Sequence, residues 1–106
     1  MKQDTTRNRE QRIAEMVGGK RQPASGSFYW AKGDIKTDHL LIDHKHRQTA
    51  CSVSAKMLDK ITNEARGAGK EPALVITIPA VNVLTDRDWI VLPLRVFQGM
   101  VEKAGK

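Results

Sequence analysis

The stretch PALVITIP, residues 72–79, constrains this chain more than any other. It has strand length, is β-branched and apolar almost throughout, and shows no polar face. Strand side chains point to opposite faces in turn. A strand like this must be covered on both sides, so it belongs in the middle of a sheet. Before it, Val53, Met57, Leu58, Ile61, Ala65 and Ala68 recur at helical spacing. Ser52 or Ser54 can cap that helix, and GAGK, residues 67–70, ends it. Earlier still, HLLIDHKH, residues 39–46, reads as an aliphatic strand. Strand, helix and strand in this order form a β-α-β crossover.

The flanks extend the pattern. Thr5, Thr6 or Asn8 can cap a short helix running to about Val17, which Gly18-Gly19 stops. Glu10, Ile13, Ala14 and Val17 share one face of it, so Glu10 points with the apolar residues and Glu15 does not. KRQPASGS, residues 20–27, reads as a basic loop of small residues. Phe28, Tyr29 and Trp30 belong in the core or at the rim of a site. Residues 33–38 read as a strand that turns at Asp38-His39 into the next, a hairpin. DWIVLPL, residues 88–94, is a further strand whose Pro93 marks an edge, with Trp89 in the core. RVFQGMVEK, residues 95–103, closes the chain as a helix with Val96, Phe97, Met100 and Val101 inward. The expected fold is α/β, in the order α-β-β-α-β-β-α, with helices on both faces of a mixed sheet.

At 106 residues the chain is expected to form one domain, 1–106, with residues 1–6 a frayed end. A domain this small gains stability by pairing, and a homodimer is expected. No apolar run approaches the roughly 18–20 residues of a membrane span. The opening MKQDTTRNREQR lacks the apolar segment of a secretory signal. Cys51 is the only cysteine, which excludes a disulfide framework and points to a reducing, intracellular (cytoplasmic) setting. Without a partnered His-Asp pattern it is a packing residue rather than a nucleophile. Lysine and arginine number 18 against 12 acidic residues, a net charge of +6. Such an excess favours a polyanionic partner, most simply nucleic acid.

The chemistry concentrates in KGDIKTDHLLIDHKH, residues 32–46. On the strand, Leu41, Asp43 and Lys45 share one face, and Leu40, Ile42 and His44 the other. A preceding hairpin strand brings Asp34 opposite them. Two carboxylates beside an ammonium suit metal-assisted phosphodiester hydrolysis. Oxygen ligands suit Mg²⁺, which keeps several waters and accepts a sparse protein shell. The metal polarises the phosphate and acidifies a water. The lysine orients that water or steadies charge developing on phosphorus.

At these residues the chain resembles the PD-(D/E)XK nuclease superfamily, and within it the Holliday-junction resolvases of archaea and phages. The likeness runs through Glu10 on an inward helical face, RQPASGS at 21–27, KGD at 32–34 and IDHK at 42–45. GKEPALVITI at 69–78 and DWIVLP at 88–93 continue it, over roughly residues 8–100. Gly33 stands where the motif has proline, Asp43 where glutamate is usual, and His44 where an aliphatic or cysteine is usual. The resemblance implies a restriction-endonuclease-like core and a metal-dependent endonuclease acting on branched DNA. It implies Asp34 and Asp43 as ligands of Mg²⁺, with Mn²⁺ a substitute, Lys45 as the catalytic lysine and Glu10 as an added carboxylate. Arg21, Ser25 and Ser27 become loop contacts to the DNA backbone, joined by Lys32, Lys36 and Arg47 as phosphate grips.

Rival readings remain open at this point. The carboxylates could be structural in a basic nucleic-acid-binding module that does not cut. The same fold could act on nicked or linear DNA. His44 and His46 share a strand face near His39 and could hold zinc, but no further ligand of familiar spacing accompanies them. Lys56 and Lys60 either reach DNA from the second helix or form an ordinary solvated face. The compact length suits a phage or mobile-element gene.

Overall fold

In the computed structural model, residues 5–22, 33–82 and 84–105 are described. The chain runs α1 (Thr6–Val17), β1 (Lys20–Arg21), β2 (Ile35–Lys36), β3 (Leu40–His46), α2 (Ala55–Gly67), β4 (Glu71–Thr77), β5 (Asp88–Val91) and α3 (Leu94–Ala104). The strands form one sheet in the order β1-β2-β3-β4-β5. β3 and β4 are parallel, joined through α2, and the other neighbours are antiparallel.

Local chemistry sets the helix ends. The Thr5 hydroxyl oxygen accepts the Asn8 N–H at 3.1 Å, and Ser54 does the same for Met57 at 3.2 Å. These are N-caps, which satisfy donors that the first helical turn leaves unpaired. α1 ends at Gly18 with φ 70°, a left-handed conformation that favours glycine.

Two cores sandwich the sheet. On one face Ile13 and Ala14 of α1 pack on Ile35, Ile42, Ala73 and Val75. On the other, Ile61 and Ala65 of α2 pack on Leu41 and Leu74. β4 is buried from Pro72 to Thr77, as its unbroken apolar run requires. Each fully buried aliphatic side chain contributes about 1.5–3 kcal/mol.

Three expectations need correction. The segment read as a loop from residue 20 opens with β1, whose Lys20 and Arg21 pair with Lys36 and Ile35. Two residues are too few to show a period. The strand expected over 33–38 is ladder-paired as a strand only at Ile35–Lys36. Phe97 and Val101 are 53% exposed and Trp89 52%, so neither α3 nor Trp89 is a core element. α3 follows the edge strand, where no further layer of described chain stands to receive it, and none of its residues is buried. Residues 1–4 and Phe28, Tyr29 and Trp30 lie outside the described residues.

Candidate active site

The hairpin register carries the site. Ile35 faces Ile42 across β2 and β3. One step further out, the Asp34 N–H donates to the Ile42 carbonyl at 2.8 Å, which sets Asp34 against Asp43. Side chains directly opposite in a ladder share a face. That face is the α2 side, because Leu41, two residues before Asp43, packs on α2. The two carboxylates therefore lie on the same side of the sheet.

The turn before Asp34 is tightly fixed. Gly33 has φ +74°, and a Cβ there would lie 2.7 Å from Leu41 Cγ. Both facts demand glycine. Its N–H donates to Glu64 Oε1 at 3.1 Å, so a carboxylate from α2 holds the turn. Asp34 Oδ2 accepts the His44 backbone N–H at 2.7 Å. Lys45 Nζ lies 3.0 Å from Asp43 Oδ2, with side-chain exposures of 22% and 18%.

The electrostatics are those of crowded carboxylates. Burial raises the Asp34 carboxyl to about 7; the His44 N–H opposes this, and hydrogen bonding to Asp43 with the charges of Asp43 and Glu10 adds to it. Burial also raises Glu10, while a hydrogen bond with Asp34 and the nearby Arg21 guanidinium pull it down. Glu10 thus reaches this end of the sheet from α1, as its helical face implied. Asp43 and Lys45 also line an open cavity of about 240 Å³, walled by Lys56, Lys60 and Glu64 of α2.

Of the residues picked out from sequence, Glu10, Asp34, Asp43 and Lys45 come together. Arg21 sits beside Glu10 rather than on a free loop. Lys36 and Arg47 are exposed and do not line the cavity; Arg47 donates to the His46 carbonyl at 2.9 Å. Ser25, Ser27 and Lys32 lie outside the described residues. Glu64 is the residue that sequence reasoning missed. It falls on the apolar stripe of α2, seven residues after Met57 and three after Ile61, as Glu10 does on α1.

His44 turns to the α1 face. The Thr77 hydroxyl donates to Asp88 Oδ1 at 2.6 Å, so its single proton is committed and His44 Nε2 must donate to Thr77 Oγ1 at 2.8 Å. Arg12 closes the chain with two bonds to Asp88, at 2.8 and 2.7 Å. Burial, with the charges of His46 and Arg12, lowers the His44 imidazole to about 4. The neutral ring ends a chain of bonds that runs from α1 through β5 and β4 to β3.

Among the described residues, no group of three or more His, Cys, Asp or Glu stands in a metal-binding arrangement. The donor set nevertheless fits a hydrated Mg²⁺, which binds through one or two carboxylates and keeps several waters. Asp34 and Asp43 would supply those carboxylates; burial first, then the neighbouring Asp43 and Glu10, raises Asp34, and a bound cation would offset that cost of ionising it.

No protein-family description matches the chain, and no curated protein matches it. Among solved structures it is similar to Hjc of Archaeoglobus fulgidus, a Holliday junction resolvase from an archaeal hyperthermophile. The TM-score is 0.57 at 18% identity, over 82% of this chain and 86% of that one. At that identity the likeness shows the fold, and this chain has the restriction-endonuclease-like α/β architecture of that protein. No helix among the described residues is long and apolar enough to cross a membrane.

Proposed function

We propose that this chain is a single PD-(D/E)XK-type domain, a metal-dependent endonuclease that hydrolyses phosphodiester bonds in branched DNA. The observation that carries the reading is the gathering of Asp34, Asp43 and Lys45 on one face, the last two lining a lysine-rich cavity. The fold likeness to a resolvase and the net charge of +6 support it.

Asp34 and Asp43 would hold Mg²⁺, which when bound polarises the phosphodiester and lowers the pKa of a water. Lys45, fixed by its pair with Asp43, donates to the attacking water or to a phosphate oxygen as charge builds there. Glu10 adds a third carboxylate at the edge. Glu64 holds the Gly33 turn and so positions Asp34. Basic groups such as Arg21, Lys36 and Arg47 draw DNA in, giving salt-sensitive affinity with little sequence preference.

A four-way junction presents two strands to be cut, and a twofold dimer presents two sites to match. Leu94, Phe97, Met100 and Val101 expose one apolar face of α3. An exposed apolar patch of this kind marks an interface. A second copy of the chain is the occupant that the two-strand substrate calls for.

The test is direct. Wild-type protein with a labelled four-way junction and Mg²⁺ yields cut strands, and Lys45→Ala binds the junction without cutting it. Gel shifts with no metal-dependent products would instead establish a binding module. Equal cutting of linear duplex would establish the same chemistry on another target. Glu64→Ala is expected to lower cleavage about 10–100-fold, the scale seen when an outer-shell partner of a metal ligand is removed. Cleavage by Glu64→Ala at the wild-type rate would show that Asp34 needs no support from α2.

A further inference from the structure

We infer that the cavity between β3 and α2 seats a backbone phosphate next to the one that is cut, gripped by Lys56 and Lys60. The inference rests on the nuclease reading and extends it to a subsite. Lys45 and Asp43 form one wall of the cavity, so it is continuous with the reacting centre. Lys56 and Lys60 are four apart on α2 and line the same space, with Cβ atoms about 5–6 Å apart in such a pair.

The carboxylates there are already committed. Asp43 is held by Lys45 at 3.0 Å, and Glu64 accepts the Gly33 N–H at 3.1 Å. Lys60 Nζ approaches Glu64 only to 3.9 Å, and its side chain is 70% exposed, so it keeps donors to offer. Among the described residues Lys56 makes no ion pair. Two ammonium groups then stand over a floor of half-buried Met57 and buried Ile61. Donors above an apolar floor suit a phosphate and its sugar. At about 240 Å³ the space falls below the roughly 300–1,000 Å³ of sites for whole drug-sized ligands, which favours one unit of a chain.

The experiment measures binding of a labelled synthetic four-way junction by fluorescence anisotropy in EDTA, across a salt series. Each phosphate neutralised on B-form DNA contributes about 0.9 to the slope of log affinity against log salt. The double variant Lys56→Gln/Lys60→Gln gives up that one phosphate and is expected to lower the slope by about 0.9. From about 50 to about 200 mM salt it then loses roughly threefold less affinity than wild type. Arg66→Gln, on the same helix and outside the cavity, should leave the slope at its wild-type value. A wild-type slope in the double variant, with wild-type protein still binding and cutting, overturns the subsite and leaves the nuclease reading standing. Failure of the wild type to bind the junction overturns both.

Discussion

Asp34→Asn is expected to abolish metal-dependent cleavage, by at least about 10²-fold, the scale of losing one preorganised electrostatic group. The same variant should change how stability depends on pH. The Asp34 carboxyl is raised from 3.8 to about 7 in the folded chain. Between those values the folded state keeps a proton that the unfolded state has released. Stability therefore falls as pH rises through this window, and the loss is complete above about 7. Asparagine cannot titrate, so thermal melts of the variant should be flatter across the window and more favourable than wild type near pH 8. On the proposed metal role, Mg²⁺ should oppose the loss by binding the ionised site. At a hundredfold excess over its dissociation constant it adds about 2.7 kcal/mol. For a domain of this size that is on the order of 10 °C in melting temperature. The Mg²⁺ shift should be larger at pH 8 than at pH 5 and lost in Asp34→Asn. Equal shifts at both pH values, or an undiminished shift in the variant, would remove Asp34 from the metal site.

Much of this site was legible because strand geometry is simple. Alternation put Asp43 and Lys45 on one face, and a preceding hairpin strand could bring Asp34 opposite them. The register confirms that reading down to the Ile35–Ile42 pair. Helical spacing turned Glu10 inward, and its hydrogen bond with Asp34 agrees. The same argument applied to α2 would have found Glu64, whose position among Met57, Ile61 and Ala65 invites the question of what it is paired with. Its partner, the Gly33 N–H, lies 31 residues away and follows from no local pattern. Arg21 beside Glu10 is of the same kind: a two-residue strand fixes it, and two residues carry no period. Trp89 and α3 failed for a different reason. An amphipathic pattern states that a face will be covered, not that the same chain covers it.

Phe97→Asp is expected to convert a dimer into monomers. Arg95 anchors the first turn of α3 to Glu71, with Nη2 to Oε1 at 2.8 Å and a second contact from Nη1 to Oε2. This holds the helix in place while Leu94 (72%), Phe97 (53%), Met100 (44%) and Val101 (53%) stay exposed. An isolated helix of 11 residues is marginal in water, so covering this face matters to α3 itself. In a twofold interface each change occurs twice. Burying a large apolar side chain is worth about 1.5–3 kcal/mol, so losing two costs about 3–6 kcal/mol per dimer. That weakens association by about 10²–10⁴-fold, visible by sedimentation equilibrium. No α3 residue is buried in the single chain, so the core and the Asp34–Asp43–Lys45 site should survive, and an unchanged far-ultraviolet circular dichroism spectrum would confirm it. Cleavage should then separate into its halves. A monomer carries one site, so nicked junctions accumulate where the dimer releases fully resolved duplexes. Wild-type protein that sediments as a monomer at micromolar concentration, or a Phe97→Asp variant that still cuts both strands in one encounter, would place the second active site somewhere other than across α3.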